Sequence, residues 1–146
     1  MKCEILKSKF PTPKYATSGS AGFDLYNRSG ETIIIPPGMN ALIPTGIYLK
    51  LPTGTVGLLT PRSGKAFKSV GFSVANAPGI IDEDFPDEMK VIACNYGNEA
   101  IQIDEDERMA QLVVVPYIRC EFEVVDKLSH GEDNERKGGF GHTGAK

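Results

Sequence analysis

Residues 76–88 read Asn-Ala-Pro-Gly-Ile-Ile-Asp-Glu-Asp-Phe-Pro-Asp-Glu, the densest group of potentially reactive side chains in the sequence. Asp82, Glu83 and Asp84 stand beside Phe85, directly after the β-branched Ile80 and Ile81. Carboxylates in such a run either sit in a solvated turn or hold a metal ion and activate a water molecule. Taken alone, a wet turn is the commoner outcome.

Four other stretches offer complementary chemistry. Ala21-Gly22-Phe23-Asp24-Leu25-Tyr26 alternates as a half-buried strand does, with Phe23 and Leu25 on one side and Asp24 on the other. Asp24 is then a surface residue or a carboxylate aimed at a hydrated cation. Pro61-Arg62-Ser63-Gly64 joins a strand to a short helical piece that Ser63 is placed to cap. An arginine, a hydroxyl and exposed N–H groups at such a junction suit an anion, though an ordinary helix start has the same look. Arg108 has Asp104 and Asp106 close by as ion-pair partners. Gln111 leads into the apolar Leu112-Val113-Val114-Val115 and must find a hydrogen-bond partner, which a phosphate oxygen or a backbone group supplies. The stretch from Arg136 to Gly144 holds four glycines around Phe140. It is either a tail without structure or a wrap in which Phe140 stacks on a planar ligand and Arg136 reaches an anion.

The elements that position these residues are short. Sixteen Gly and ten Pro divide the 146 residues into brief runs rich in Ile, Val, Thr, Phe and Tyr, at 32–35, 41–51, 55–60, 89–96, 100–103, 112–117 and 121–125. Short strands with frequent turn signals predict an all-β sandwich or barrel with one short helix. The length suits one domain with a real core. Residues 128–146 are polar and Gly-rich and are expected to form a flexible tail. Apolar content of 40% and charged content of 24% are those of a soluble globular protein, and a net charge of −3 argues against a nucleic-acid partner. Cys3, Cys94 and Cys120 lack CxxC spacing and read as free thiols in a reducing compartment. With no signal peptide and no apolar run of membrane-spanning length, an intracellular, cytoplasmic location without a membrane partner is expected.

In order and spacing, residues 21–26, 61–66, 76–88, 108–112 and 136–144 resemble the five motifs of the trimeric dUTP nucleotidohydrolase (dUTPase) family. Each motif is weak or moderate alone, but the set spans nearly the whole chain. The resemblance implies a distorted, β-clip-like jelly roll over residues 1–127, with the tail closing over the active site. It implies a homotrimer with three active sites shared between subunits. The implied reaction is Mg2+-assisted hydrolysis of dUTP to dUMP and pyrophosphate, which limits uracil incorporation into DNA and supplies dUMP for thymidylate synthesis.

Residue by residue, the resemblance makes Asp82, Gln111 and Arg136 the catalytic set, with Asp82 activating water. Arg62, Ser63, Gly64 and Gln111 match phosphate-binding positions, and Arg136 closes on the terminal phosphate. Asn76 and the backbone of Gly79, Ile80 and Ile81 match the hairpin that reads uracil. Phe85 matches the aromatic against the deoxyribose, and Lys90 a position near the base. Phe140 and Gly141 match the part of the tail that covers uracil. Asp24 resembles an outer-shell carboxylate that holds Mg2+ through water.

The sequence also departs from the family pattern. Phe85 replaces the usual Tyr. Pro86-Asp87 replaces a polar residue and glycine at the hairpin turn. Lys65 stands where an apolar residue is common and is expected to add a cation near the phosphates. Asp106-Glu107 replaces Gly-Asp, and the last motif is one residue short between Arg136 and Gly138. Glu83 and Asp84 receive no chemical role and read as solvated or structural. Two rival readings are a dCTP deaminase-like enzyme of the same superfold and a dUTP-sensing regulatory protein on this scaffold. The first lacks its Glu on the strand after the hairpin, which reads Met89-Lys90-Val91-Ile92-Ala93-Cys94-Asn95, and has Gly64 where Ser is usual. The second is disfavoured by the intact Arg62, Asp82 and Gln111.

Overall fold

Glycine and proline break the chain into pieces too short for long helices, and the β-branched residues between them favour strands. A computed structural model describes residues 2–129. Its elements are β1 (Glu4–Ile5), β2 (Gly22–Tyr26), β3 (Ile33–Ile35), β4 (Asn40–Ile47), β5 (Leu49–Lys50), β6 (Thr55–Pro61), α1 (Ser63–Lys68), β7 (Phe72–Val74), β8 (Gly79–Ile81), β9 (Met89–Asn95), β10 (Ile101–Ile103) and β11 (Arg108–Pro116). All strand pairs are antiparallel. One sheet has the order β2-β11-β6-β8 and a second β4-β9-β7, with small two-stranded sheets β10-β3 and β1-β5. This is the expected all-β jelly-roll architecture with one short helix.

A single core joins the sheets. Leu25, Leu59 and Leu112 of the first sheet and Ile43, Val91 and Ala93 of the second are buried in one cluster. Each large side chain so buried contributes about 1.5–3 kcal/mol. Asn27 and Asn95 are buried but satisfied. The Asn27 amide donates to the Glu31 carbonyl at 2.9 Å, and that of Asn95 to the Ile35 carbonyl at 2.8 Å. They tie down loops and need no ligand to explain them.

The junction from β6 to α1 follows from Pro61, which has no N–H to continue a ladder. Arg62 then takes an extended conformation, φ −81° and ψ 135°, and is the N-cap residue. Ser63 is therefore the first helical residue and not the expected cap, and no side chain caps this end.

The expected strand at 121–125 does not form. Phe122 and Val124 alternate with Glu121 and Glu123, a strand pattern, yet both apolar side chains are almost fully exposed. A strand needs a neighbour for its backbone groups, and among the described residues none pairs with this segment. No described helix is long and apolar enough to cross a membrane.

Candidate active site

Four of the five sequence stretches lie on one sheet. In its register Asp24 pairs with Gln111 and Gln111 with Thr60, so three adjacent strands carry one row. Arg62 emerges just beyond the end of β6 and turns its Nε to Asp24 Oδ1 at 2.6 Å. Arg108 reaches the other oxygen, its Nη1 lying 3.4 Å from Asp24 Oδ2. Arg108 thus pairs across the sheet and not with Asp104 or Asp106. Asp106 is held by Arg28, whose guanidinium lies between the rings of Phe10 and Tyr26 at 4.8 and 4.9 Å. The Gln111 amide donates to the Pro61 carbonyl at 3.3 Å, fixing the end of β6.

Beside these groups is a pocket of about 320 Å³ lined by Arg62, Gly64, Lys65, Lys68, Ser69, Glu107 and Arg108. Ser63 and Gly64 are exposed on the first turn of α1. The first intrahelical bond is Ala66 N–H to the Arg62 carbonyl, which leaves earlier N–H groups without helical partners. Two arginines and such donors suit a polyanion. Lys65, expected as an added cation, is not one. Its ammonium is buried 2.6 Å from Glu107 Oε1 and 2.9 Å from the Gln102 carbonyl oxygen. Its charge is spent inside the protein.

A second group of predicted residues surrounds β8. Among the described residues this strand closes its sheet, with β6 on one side only. Its outer edge offers backbone donors and acceptors of the kind that can match a flat hydrogen-bonding ligand. Asn76 folds over the start of the strand. A Cβ on Gly79 would lie 3.1 Å from Asn76 Nδ2, so only glycine admits this approach without displacing the amide. After Ile81 the chain turns, with Phe85 N–H donating to the Asp82 carbonyl at 3.2 Å. Asp82 opens that turn, a position that favours Asp, and its side chain is left exposed.

Glu83 does not project freely. Its carboxylate accepts from Gly54 N–H and anchors the turn to the loop before β6. Burial, and next the neighbouring Glu83, push the Tyr117 hydroxyl upward. Phe85 is half-buried against the core and lines a separate groove of about 540 Å³. At the Pro86-Asp87 turn, Asp87 Oδ1 accepts from Glu88 N–H, and Glu88 Oε1 accepts from Gly46 N–H at 2.7 Å. Lys90 lies on the other sheet, exposed and opposite Pro44.

The two groups do not meet within one chain. Ile81 pairs with Gly57, five residues from Arg62 along β6. At about 3.3 Å per residue the strand puts Ile81 roughly 16 Å from Arg62; Asp82 lies one residue further away, and Gly79, opposite Leu59, is nearer. Arg136, Phe140 and Gly141 fall outside the described residues. Among the described residues no group of three or more His, Cys, Asp or Glu is placed to cage a metal.

Two features escaped the sequence reading. Gly57, inside β6, lets Ile81 and Leu112 close over the backbone: a Cβ there would sit 3.2 Å from both Ile81 Cβ and Leu112 Cδ1. A lone glycine within a strand pattern was the available signal. The other is the contact between Lys65 and Glu107, two departures 42 residues apart that no local pattern connects.

The dUTPase family model matches residues 8–144. The deoxyuridine 5'-triphosphate nucleotidohydrolase of Bdellovibrio bacteriovorus is 46% identical over 133 residues, covering 90% of this chain and 87% of that protein. The corresponding protein of Nautilia profundicola is 43% identical over 145 residues, 99% of this chain and 98% of its own. A structure of the Staphylococcus bacteriophage 80alpha dUTPase with dUPNHPP superposes with a TM-score of 0.82 at 25% identity, covering 98% of each chain. With matches running from the first strands into the glycine-rich tail, the chain belongs to the dUTPase family.

Proposed function

We propose that this protein hydrolyses dUTP to dUMP and pyrophosphate. The observation that carries the reading is the convergence of Arg62 and Arg108 on Asp24 beside a cationic pocket, in the same row of the sheet as Gln111. Arg62, Ser63, Gly64 and Gln111 bind phosphate oxygens there. The Asp82 carboxylate takes a proton from water as that water attacks the α-phosphorus. The bond from the α-phosphorus to the bridging oxygen breaks, and pyrophosphate leaves with the electron pair. Gln111 and Arg136 offset the charge that builds on the phosphates.

The outer edge of β8 accepts uracil N3–H, and cytosine presents the opposite pattern. Asn76 holds that hairpin, which leaves little room for a 5-methyl group. Phe85 lies against the deoxyribose and excludes a 2'-hydroxyl. Lys90 approaches the base side, and Phe140 and Gly141 close over uracil. The tail from residue 128 acts as the lid.

The donor set suits Mg2+ only in an outer role. Asp24 has each oxygen on an arginine, which leaves one lone pair apiece for metal-bound water, and no carboxylate cage accompanies it. Bound on the triphosphate, Mg2+ supplies charge neutralisation. The distance between the two residue groups supports sites completed by another copy of the chain, in a homotrimer. The unpaired apolar alternation at Phe122 and Val124 is a further reason to expect assembly. The test is product analysis with Mg2+ and each of dUTP, dCTP, dTTP and UTP. The expected outcome is dUMP and pyrophosphate from dUTP, with the others nearly untouched. Release of dUTP from dCTP, or no turnover, refutes the reading.

A further inference from the structure

Lys65 is the one charged residue that the fold buries among those described, at 8% exposure. A buried ammonium must be paired and hydrogen-bonded, and here three elements share it. Glu107 Oε1 lies at 2.6 Å, the Gln102 carbonyl of β10 at 2.9 Å, and the Phe72 ring of β7 faces it at 5.7 Å. The second carboxylate oxygen of Glu107 accepts from Asp104 N–H at 2.9 Å and closes the turn that leads into β11. On the other side of that turn, Asp106 is held by Arg28.

The sequence neighbours of the pair are the phosphate-pocket residues. Lys65 follows Ser63 and Gly64 on α1, and Glu107 directly precedes Arg108. Lys65 and Glu107 therefore tie the helix that presents Ser63 and Gly64 to the strand that presents Arg108. Arg62, at the N-cap of the same helix, meets Arg108 at Asp24. Both members of the pair also form part of the pocket wall.

We propose that Lys65 and Glu107 are positioning residues that set the spacing between α1 and Arg108 for triphosphate binding, without touching a phosphate themselves. The two departures from the family pattern are one device, since each is explained by the other. The proposal rests on the reading of this pocket as the triphosphate site.

The test uses full-length Lys65→Met, Glu107→Gln, the double variant and Lys65→Arg, all assayed well below their unfolding temperatures. Readouts are kcat and KM for dUTP, and the dissociation constant of a non-hydrolysable imido analogue of dUTP. A loss of ground-state positioning raises KM and leaves kcat in place, so Lys65→Met should raise KM and the analogue constant about five- to tenfold with kcat within about twofold. Glu107→Gln should be worse, because it strands a buried charge. The double variant should then be no worse than Lys65→Met, and Lys65→Arg should recover most of the affinity. Should Glu107→Gln fail to fold, Lys65→Met and Lys65→Arg decide the matter. A lowered unfolding temperature with unchanged KM and analogue affinity overturns the proposal, as does strict additivity in the double variant. Wild-type protein that binds the analogue but does not hydrolyse dUTP overturns the proposed activity, and the affinity series still decides the role of the pair. Wild-type protein that does not bind the analogue overturns both.

Discussion

Replacing Gly57 with alanine tests how tightly the sheet controls the hairpin that carries Asp82. The new Cβ would lie 3.2 Å from Ile81 Cβ and 3.2 Å from Leu112 Cδ1, where apolar carbons prefer about 3.5–4.0 Å. Leu112 is fully buried between β2 and β6 and has nowhere to retreat. Ile81 ends a three-residue strand with one neighbour, so β8 is the element that yields. A shift of a few tenths of an ångström at Ile81 is passed to Asp82, the next residue. Overpacking of this kind costs about 1–3 kcal/mol. Loss of glycine freedom in the unfolded chain offsets about 0.4–1 kcal/mol of it, so the net destabilisation falls between about 0 and 2.6 kcal/mol, centred on about 1.3 kcal/mol. A misplacement of 1 Å at a reacting group costs about 100-fold in rate, so a few tenths should cost about three- to fivefold in kcat. Urea unfolding at fixed protein concentration gives the first quantity and steady-state dUTP hydrolysis the second. A Gly57→Ala protein with unchanged unfolding midpoint and full kcat would show that β8 is not held by this contact.

Other outcomes follow from the same geometry. Asp82→Asn should lower kcat at least about 100-fold, the usual scale for losing a general base. Because Asp82 is exposed at the start of a turn, its analogue affinity and unfolding midpoint should stay near wild type; full activity would rule out the assigned role. Truncation before Arg136 should remove most turnover while leaving the far-ultraviolet circular dichroism and the oligomer intact; unchanged turnover would exclude a lid. Light scattering should return three times the chain mass, and a monomeric value in a fully active sample would end the shared-site reading.

Most strands were legible because their signals are local. The runs at 55–60 and 89–96 are short, mostly apolar or β-branched and bounded by Gly and Pro, and β6 and β9 lie there. The pairing of strands was not legible, because it depends on partners far apart in sequence. Nothing in Gly79-Ile80-Ile81 says that it joins Leu59-Leu58-Gly57 and not the strand that follows it. The run 121–125 alternates as a strand does but has no partner among the described residues, so the pattern alone was insufficient. Ser63 has the chemistry of a cap, yet the helix begins one residue earlier than that role requires. Lys65 was misread for a similar reason: its one-letter neighbourhood suggests solvent, while its position faces β7, β10 and the turn before β11. Of the candidate site, the residue types were legible and their division into two separated groups was not.

The free edge of β8 has a cost beyond recognition. A backbone edge of the kind proposed to read a base is equally open to any extended chain, and such edges seed aggregation. This one is short, at three residues. Pro78, immediately before it, has no N–H to donate, and Pro86 follows the turn. Two exposed carboxylates, Asp82 and Asp84, stand at its exit, where like charges disfavour edge-to-edge pairing. Asp84, exposed beside that edge, stands where gatekeeper charges are placed. The edge proposed to read the base and the features that guard it against edge-to-edge pairing thus lie within the same few residues.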